Sequence, residues 1–390
     1  MARSAATRRS RTIDARLPNR SDDDYLGVAL ALACRGLGNV WPNPAVGCVL
    51  VQPGGGQEGN SVGDLIVGRG WTQPGGRPHA EIVALEQAGP RAKGTTAYVS
   101  LEPCAHHGQT PPCAGALIAA NIARVVIAAP DPDTRVNGRG AEMLRAAGVT
   151  VDWADRAAAE ALNAGFLSKL NRGRPLVTLK LASTLDGRIA LGGGESQWIT
   201  GAQARARGHL LRAEHDAVLI GIGTALADDP ELTCRLPGMI GQSPVRLVLD
   251  SHLRLPGDSR LARGAGDHPL WLITGAGQKS QALAEQGVEI LGVPLDGPGR
   301  IDLGAALAAL AGRGITRVLV EGGSGVTTAF LAAGLVDHLA WFRAPGLIGD
   351  DGLAAIGELG VAALANMPRF QRQGIEPLGD DVLESYVHRA

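Results

Sequence analysis

Apolar positions in this chain fall into short runs separated by glycine, proline and polar clusters, and helical and strand periods alternate along it. Ser21 followed by Asp22, Asp23 and Asp24 reads as an N-cap with acids in the first turn, where the helix dipole favours them. Leu26, Ala29, Leu30 and Ala33 then recur at helical spacing, and Gly36 ends that helix. Pro42-Asn43-Pro44 is a loop feeding a buried apolar strand through Val51, with a hairpin partner at 65–67 across a glycine-rich 54–64. A helix beginning near His79 places Ile82, Val83 and Leu85 inward and stops at Gly89-Pro90. Strands at 97–101, 124–128 and 149–153, with helices at 114–120 and 141–147 between them, predict a layered α/β domain over 22–153. Residues 154–173, helical and then charged, form the connection to a second domain at 174–390.

That second half opens with a strand at 176–182, and further strands follow at 217–221, 245–250, 270–274 and 317–320. Two of them break into glycines, at Gly221-Ile222-Gly223-Thr224 and at Glu321-Gly322-Gly323-Ser324-Gly325. Strand, glycines, helix is an order that presents free backbone amides at a helix start, a geometry suited to a phosphate. Neither loop has the Gly-x-Gly-x-x-Gly spacing of a standard dinucleotide-binding fold.

A chain of 390 residues exceeds one ordinary core, in agreement with two domains. The net charge of -1 gives no electrostatic footprint for nucleic acid, and no apolar run reaches the length of a membrane span. Residues 1–21 make a basic, arginine-rich tail expected to be disordered; without a secretory apolar segment, the expected location is cytoplasmic. Five cysteines without framework spacing indicate a reducing compartment and free thiols.

The chemistry concentrates between His79 and Cys113. His79-Ala80-Glu81, Pro103-Cys104 and Cys113 supply one imidazole and two thiols, the donor set of a tetrahedral Zn2+ with one open position. Zinc lowers the pKa of a water at such a position to about 7. Glu81, two residues from the His, is placed to carry protons rather than to bind metal. The pattern is the signature of zinc nucleobase and nucleoside deaminases. Eight residues separate the two thiols where the usual spacing is two, so Cys113 ligates only if that insert loops out and Cys113 opens the next helix. The alternative is a closed zinc knuckle with His106 or His107 as fourth ligand. Asn43, between its prolines, reads either as a hydrogen-bond partner of a base or as an Asx-turn capping its loop.

This insert, with two histidines and two prolines, resembles the bifunctional deaminase–reductases of riboflavin biosynthesis. The second half resembles the same family through Thr184-Leu185-Asp186-Gly187-Arg188, Ser196-Gln197-Trp198-Ile199-Thr200, Asp228-Asp229-Pro230-Glu231-Leu232-Thr233 and Val320-Glu321-Gly322-Gly323. The resemblance spans most of residues 22–388. It implies an α/β protein: an N-terminal cytidine-deaminase-like three-layer αβα domain and a C-terminal dihydrofolate-reductase-like α/β domain. It also implies hydrolytic deamination of 2,5-diamino-6-(5-phosphoribosylamino)pyrimidin-4-one, with zinc and Glu81 providing the water and the proton transfer. NADPH reduction of the ribosyl group to ribityl phosphate follows. By the same resemblance Ala182, Trp198, Thr224, Asp228, Ser251, Gly323, Ser324, Gly325, Val326, Thr327, Thr328 and Ala329 contact NADPH. Asn43, Ser196, Arg212, Leu232, Arg235 and Glu321 contact the phosphoribosyl pyrimidine substrate. Guanidinium groups suit a ribose phosphate; surface ion pairs are the plainer reading of the arginines, and a core aromatic that of Trp198. Many relatives carry a His near Thr72, where this chain has Trp71-Thr72. A homo-oligomer, dimer or tetramer, is expected, with no nucleic-acid or membrane partner. The rivals are a tRNA or nucleoside deaminase with an unrelated second domain, and a structural zinc protein that binds nucleotides without turnover.

Overall fold

A computed structural model of the chain describes residues 21–54, 63–106, 111–134, 136–154 and 157–389. The expected tail up to residue 20 and His107 lie outside the described residues. Two compact units result: one from residues 1–35, 46–71 and 78–159, the other from 36–45, 72–77 and 160–390.

The first unit begins with α1 (Asp22–Ala33), whose capping box is complete: Ser21 Oγ accepts from Asp24 N, and Asp24 Oδ2 accepts from Ser21 N. There follow β1 (Gly47–Gln52), β2 (Leu65–Trp71), α2 (Ala80–Ala88), β3 (Thr96–Val99), α3 (Cys113–Ala119), β4 (Arg124–Ile127), α4 (Arg139–Ala146) and β5 (Thr150–Trp153). Among the described residues the sheet order is β2-β1-β3-β4-β5. β1 runs antiparallel to β2 and β3, whereas β3, β4 and β5 are parallel. The run from Cys48 to Val51 is buried throughout, the pattern of a strand covered on both faces.

One inward face differs from the sequence reading. Helix α2 buries Ala80, Glu81, Ala84 and Ala88, and Ile82, Val83 and Leu85 are only partly covered. The cause lies in β2, where a Cβ on Gly70 would stand 2.1 Å from the Ala80 carbonyl oxygen. Glycine in the strand lets the helix backbone come this close, with Ala80, Val83 and Ala84 all against that position.

The helix α5 (Ala157–Leu162) crosses from the first unit's residues into the second's. The second unit continues with α6 (Ala164–Arg172), β6 (Leu176–Ser183), β7 (Arg188–Leu191), α7 (Ala202–Ala213), β8 (Ala217–Gly221), α8 (Ile222–Asp228), β9 (Val245–Leu249), α9 (Arg260–Arg263), β10 (Leu270–Gly275), α10 (Gln281–Glu285), β11 (Glu289–Val293), α11 (Leu303–Gly312), β12 (Arg317–Val320), α12 (Ser324–Ala332), β13 (His338–Arg343), β14 (Gly352–Ala354), β15 (Phe370–Leu378) and β16 (Asp381–His388). The main sheet runs β11-β10-β9-β8-β12-β6-β13-β16-β15, and β14 pairs separately with β7. The strands from β11 to β13 pair in parallel, and β16 and β15 close the edge antiparallel.

Successive residues of the central strands serve two cores. Ala217 and Leu219 of β8 pack with Leu247 and Ile273 on one face; Val218 and Ile220 pack with Val248 and Leu272 on the other. Residues 222–224, expected in a glycine loop, are helical. Gly221 is the extended N-cap of α8, so the helix begins directly at the end of the strand. No helix among the described residues is long and apolar enough to cross a membrane.

Candidate active site

His79 is the N-cap of α2, with extended backbone (φ -70°, ψ 159°), and Glu81 follows in the first turn, where a helix start favours an acid. Cys104 lies beyond the end of β3. Cys113 is the first residue of α3, behind Pro112 as N-cap. The His79 Nδ1 is 3.2 Å from Cys113 Sγ and 3.7 Å from Cys104 Sγ. Zinc–ligand bonds of about 2.0–2.3 Å at tetrahedral angles place N and S donors roughly 3.5 Å apart, so this set fits that ion. Among the described residues, these three form the one cluster of metal-ligand type, and His106 is not part of it. His106 Nδ1 is buried without a hydrogen-bond partner among the described residues.

Electrostatics distinguish the three acids at this centre. Hydrogen bonding from the Cys113 thiol is the main cause that pulls the Cys104 thiol down to about 4, against burial and with help from His79. The same bond, together with burial, pushes the Cys113 thiol up. A cation that takes both sulfurs as ligands binds them as thiolates and displaces any proton they carry. Burial, with the charge of Cys104 adding to it, lifts the Glu81 carboxyl to about 7. A 3 % exposed carboxyl near that value can take up and return a proton at neutral pH.

In the second unit, β6, β8, β9 and β12 are neighbours, and several of the residues expected at a cofactor lie where these strands end. Ala182 is near the end of β6, Thr224 is in the first turn of α8 after β8, Ser251 follows β9, and Gly323 is the N-cap of α12 after β12. The carboxyl ends of parallel strands form the ligand crevice of open α/β sheets. Gly323 N donates to Thr224 Oγ1 at 3.4 Å, which joins two of these strand ends directly. A Cβ on Gly325 would meet no protein atom within 4 Å, so the start of α12 is open to approach. Ser324, Gly325, Val326, Thr327, Thr328 and Ala329 fill its first two turns. Thr327 is wholly buried, and its hydroxyl has no hydrogen-bond partner among the described residues; Thr328 Oγ1 instead donates to Ser324 O and accepts from Gly357 N, both at 2.7 Å. Asp228 ends α8 in an exposed position.

Arg212 and Glu321 meet in a two-toothed ion pair of 2.6 and 3.0 Å, and Arg212 also donates to Thr233 O. Burial alone would raise the Glu321 carboxyl, but Arg212 and Lys180 hold it down to about 2. Leu232 is buried beside Thr233; Arg235 is exposed and pairs with Glu231 at 3.4 Å. Ser196 is half-buried. Trp198 is no core aromatic: it is 67 % exposed, with the Arg205 guanidinium 4.7 Å from its ring centre. Asn43 donates its backbone N–H to Val40 O, and its side chain packs so tightly on Gly76 that a Cβ there would lie 1.9 Å from Nδ2. Thr72, at the position where relatives often carry His, uses its hydroxyl to donate to Pro44 O.

Two charged residues escaped the sequence reading. Lys180, 3.9 Å from Glu321, was legible only as the lone cation in an otherwise apolar strand. Glu102, 4 % exposed next to Pro103-Cys104, had no signal beyond that adjacency.

Comparison with known proteins agrees with both halves. Residues 19–129 match the cytidine and deoxycytidylate deaminase zinc-binding region, and residues 175–383 match the RibD C-terminal domain. The riboflavin biosynthesis protein RibD of Escherichia coli K12 is 41 % identical over 382 residues, covering 93 % of this chain and 98 % of that protein. A solved structure of Acinetobacter baumannii RibD superposes with a TM-score of 0.83 at 37 % identity, covering 95 % of this chain and 99 % of that one. A Thermotoga maritima diaminohydroxyphosphoribosylaminopyrimidine deaminase/5-amino-6-(5-phosphoribosylamino)uracil reductase does so with 0.80 at 34 % identity, over 94 % and 99 % of the two chains. With a zinc-type His/Cys/Cys cluster in a deaminase-like unit and a reductase unit of matching fold, the chain belongs to the RibD family of bifunctional deaminase–reductases of riboflavin biosynthesis.

Proposed function

We propose that this chain carries out two successive steps on a phosphoribosyl pyrimidine: hydrolytic deamination of 2,5-diamino-6-(5-phosphoribosylamino)pyrimidin-4-one, then reduction of the ribosyl group to ribityl phosphate. The observation that carries the reading is the convergence of His79, Cys104 and Cys113 beside a buried Glu81. Zinc held by those three residues supplies Lewis acidity and an activated water. Glu81 takes a proton at its carboxylate and returns it to the amine nitrogen that leaves as ammonia. Asn43 hydrogen-bonds the base.

NADPH supplies hydride to the second step. Ala182, Trp198, Thr224, Asp228, Ser251 and the stretch 323–329 would hold it, and the open start of α12 offers backbone amides suited to a phosphate. Ser196, Arg212, Leu232, Arg235 and Glu321 orient the substrate, the arginines toward its phosphate. Residues 22–153 serve the first step and 174–390 the second, with 154–173 as connection. The protein works in the cytoplasm as a homo-oligomer, dimer or tetramer.

The direct test measures ammonia release from the diaminopyrimidine substrate with and without NADPH, alongside the loss of reduced-nicotinamide absorbance. Ammonia should appear in both arms, and nicotinamide oxidation only after deamination. Nicotinamide oxidation without any ammonia would overturn the order of the steps, and absence of both would overturn the reading.

Gly323→Val addresses the cofactor loop. A Cβ at Gly323 meets nothing closer than Thr224 Oγ1 at 3.7 Å, so the variant should fold. The added branches obstruct backbone approach, and the NADPH Kd should rise more than tenfold, above ~1.4 kcal/mol, with zinc content unchanged. Calorimetry showing equal affinity would place the cofactor elsewhere.

A further inference from the structure

Glu102 does more than precede the Pro103-Cys104 pair. Its side chain is buried, and its two oxygens accept three backbone N–H groups at the start of α4: Gly138 at 3.0 Å on Oε2, Gly140 at 2.9 Å and Ala141 at 3.1 Å on Oε1. A carboxylate there satisfies helix-start donors that have no partner within the helix, and it meets the positive end of the dipole. The Glu102 backbone N–H donates in turn to Ala129 O at 3.0 Å, beyond the end of β4. Gly140 presses on the next peptide: a Cβ there would lie 2.0 Å from Pro103 O and 3.1 Å from Glu102 Oε1. Cys104 is held from its other side by α3, because Ala114 N donates to Cys104 O and Cys113 N donates to Cys104 Sγ, both at 3.2 Å. The segment bearing one metal ligand is thus fixed between the N-termini of two helices, and Glu102 is the side chain that ties it to the second.

We propose that Glu102 is a positioning residue for the metal centre, setting the place of Cys104 through the start of α4. This rests on the reading of His79, Cys104 and Cys113 as zinc ligands. Groups that orient metal ligands contribute about ten- to hundredfold to metal affinity. Preorganisation explains that size, because a ligand held in place loses no further freedom on binding. A plain helix cap would act differently: its loss lowers the stability of the metal-free protein and leaves the intrinsic zinc affinity as it was.

The experiment compares wild type, Cys104→Ser and Glu102→Gln in the full chain. Zinc Kd is measured by chelator competition, metal-free stability by denaturant titration, and NADPH-dependent reduction serves as the control for folding. Gln keeps the size of Glu but brings one amide donor against three N–H donors. We expect its zinc Kd to rise at least tenfold, with reductase turnover unchanged. Unchanged zinc Kd in folded Glu102→Gln, with or without a loss of metal-free stability, overturns the proposal while leaving the ligand assignment intact. Full zinc binding by Cys104→Ser overturns the ligand assignment itself. If Glu102→Gln does not fold, Glu102→Asp is read in the same titration, because it keeps the charge but is one methylene too short to hold the three N–H groups from the same backbone position. A weakened zinc Kd there supports the proposal, and an unchanged one overturns it.

Discussion

Cys104→Ser is expected to yield folded protein that contains almost no zinc and releases no ammonia, yet still oxidises NADPH on deaminated substrate. The reason is ligand chemistry. A serine hydroxyl is a far poorer donor than a thiolate to a borderline-soft ion, and the set of three has no spare member among the described residues. The thiol of Cys104 is also the one most readily ionised, because the Cys113 thiol and His79 donate toward it. Replacing it removes the anion on which the centre is built. Metal analysis and the two activities, measured on one preparation, check the result. A full complement of zinc in this variant would show that the ion sits elsewhere.

Glu81→Gln should separate binding from turnover. The amide has nearly the same shape, so it fits the 3 % exposed site in α2 without repacking. Glu81 lies outside the ligand cluster, and loss of its charge beside Cys104 relieves a repulsion, so zinc should stay bound. An amide cannot take up and return a proton in the range where the native carboxyl titrates, near 7. Ammonia release should fall by about 10²–10⁴-fold, the usual contribution of a positioned acid–base group. NADPH oxidation on deaminated substrate should be unaffected. Near-normal ammonia release would remove Glu81 from the proton path.

Local chemistry made much of this centre readable in advance. The side-chain types of His79, Glu81, Cys104 and Cys113 limit what they can bind. Helix starts were readable for the same kind of reason: Ser21 and three acids specify α1 by hydrogen bonds that reach only three residues. Strands β6, β8, β9, β10 and β12 were visible as apolar runs, because parallel strands are buried on both faces. The strand β15 was not. It carries Gly374 and Pro377 in a mostly exposed stretch, and only pairing with β16 at a sheet edge makes it a strand. The inward face of α2 was only partly legible: Val83 and Leu85 do turn toward the strand and the core, but the most buried positions are Ala80, Glu81 and Ala84, which only the close approach at Gly70 explains.

The division between sequence and tertiary structure follows the reach of the forces involved. Ligand type, capping, apolar runs and turn residues act over a few positions, so the amino-acid order alone determined the donor set, the alternation of elements and the two-part organisation. Distances between residues far apart in the chain depend on how sheets order their strands. Only the fold brought Arg212 onto Glu321, 109 positions away, or Thr224 under Gly323. Only the fold, likewise, set the carboxylate of Glu102 against the amides of Gly138, Gly140 and Ala141. Burial completed that work: a carboxyl near 7 at Glu81 and one near 2 at Glu321 come from the same side chain, separated by the charges each is folded against.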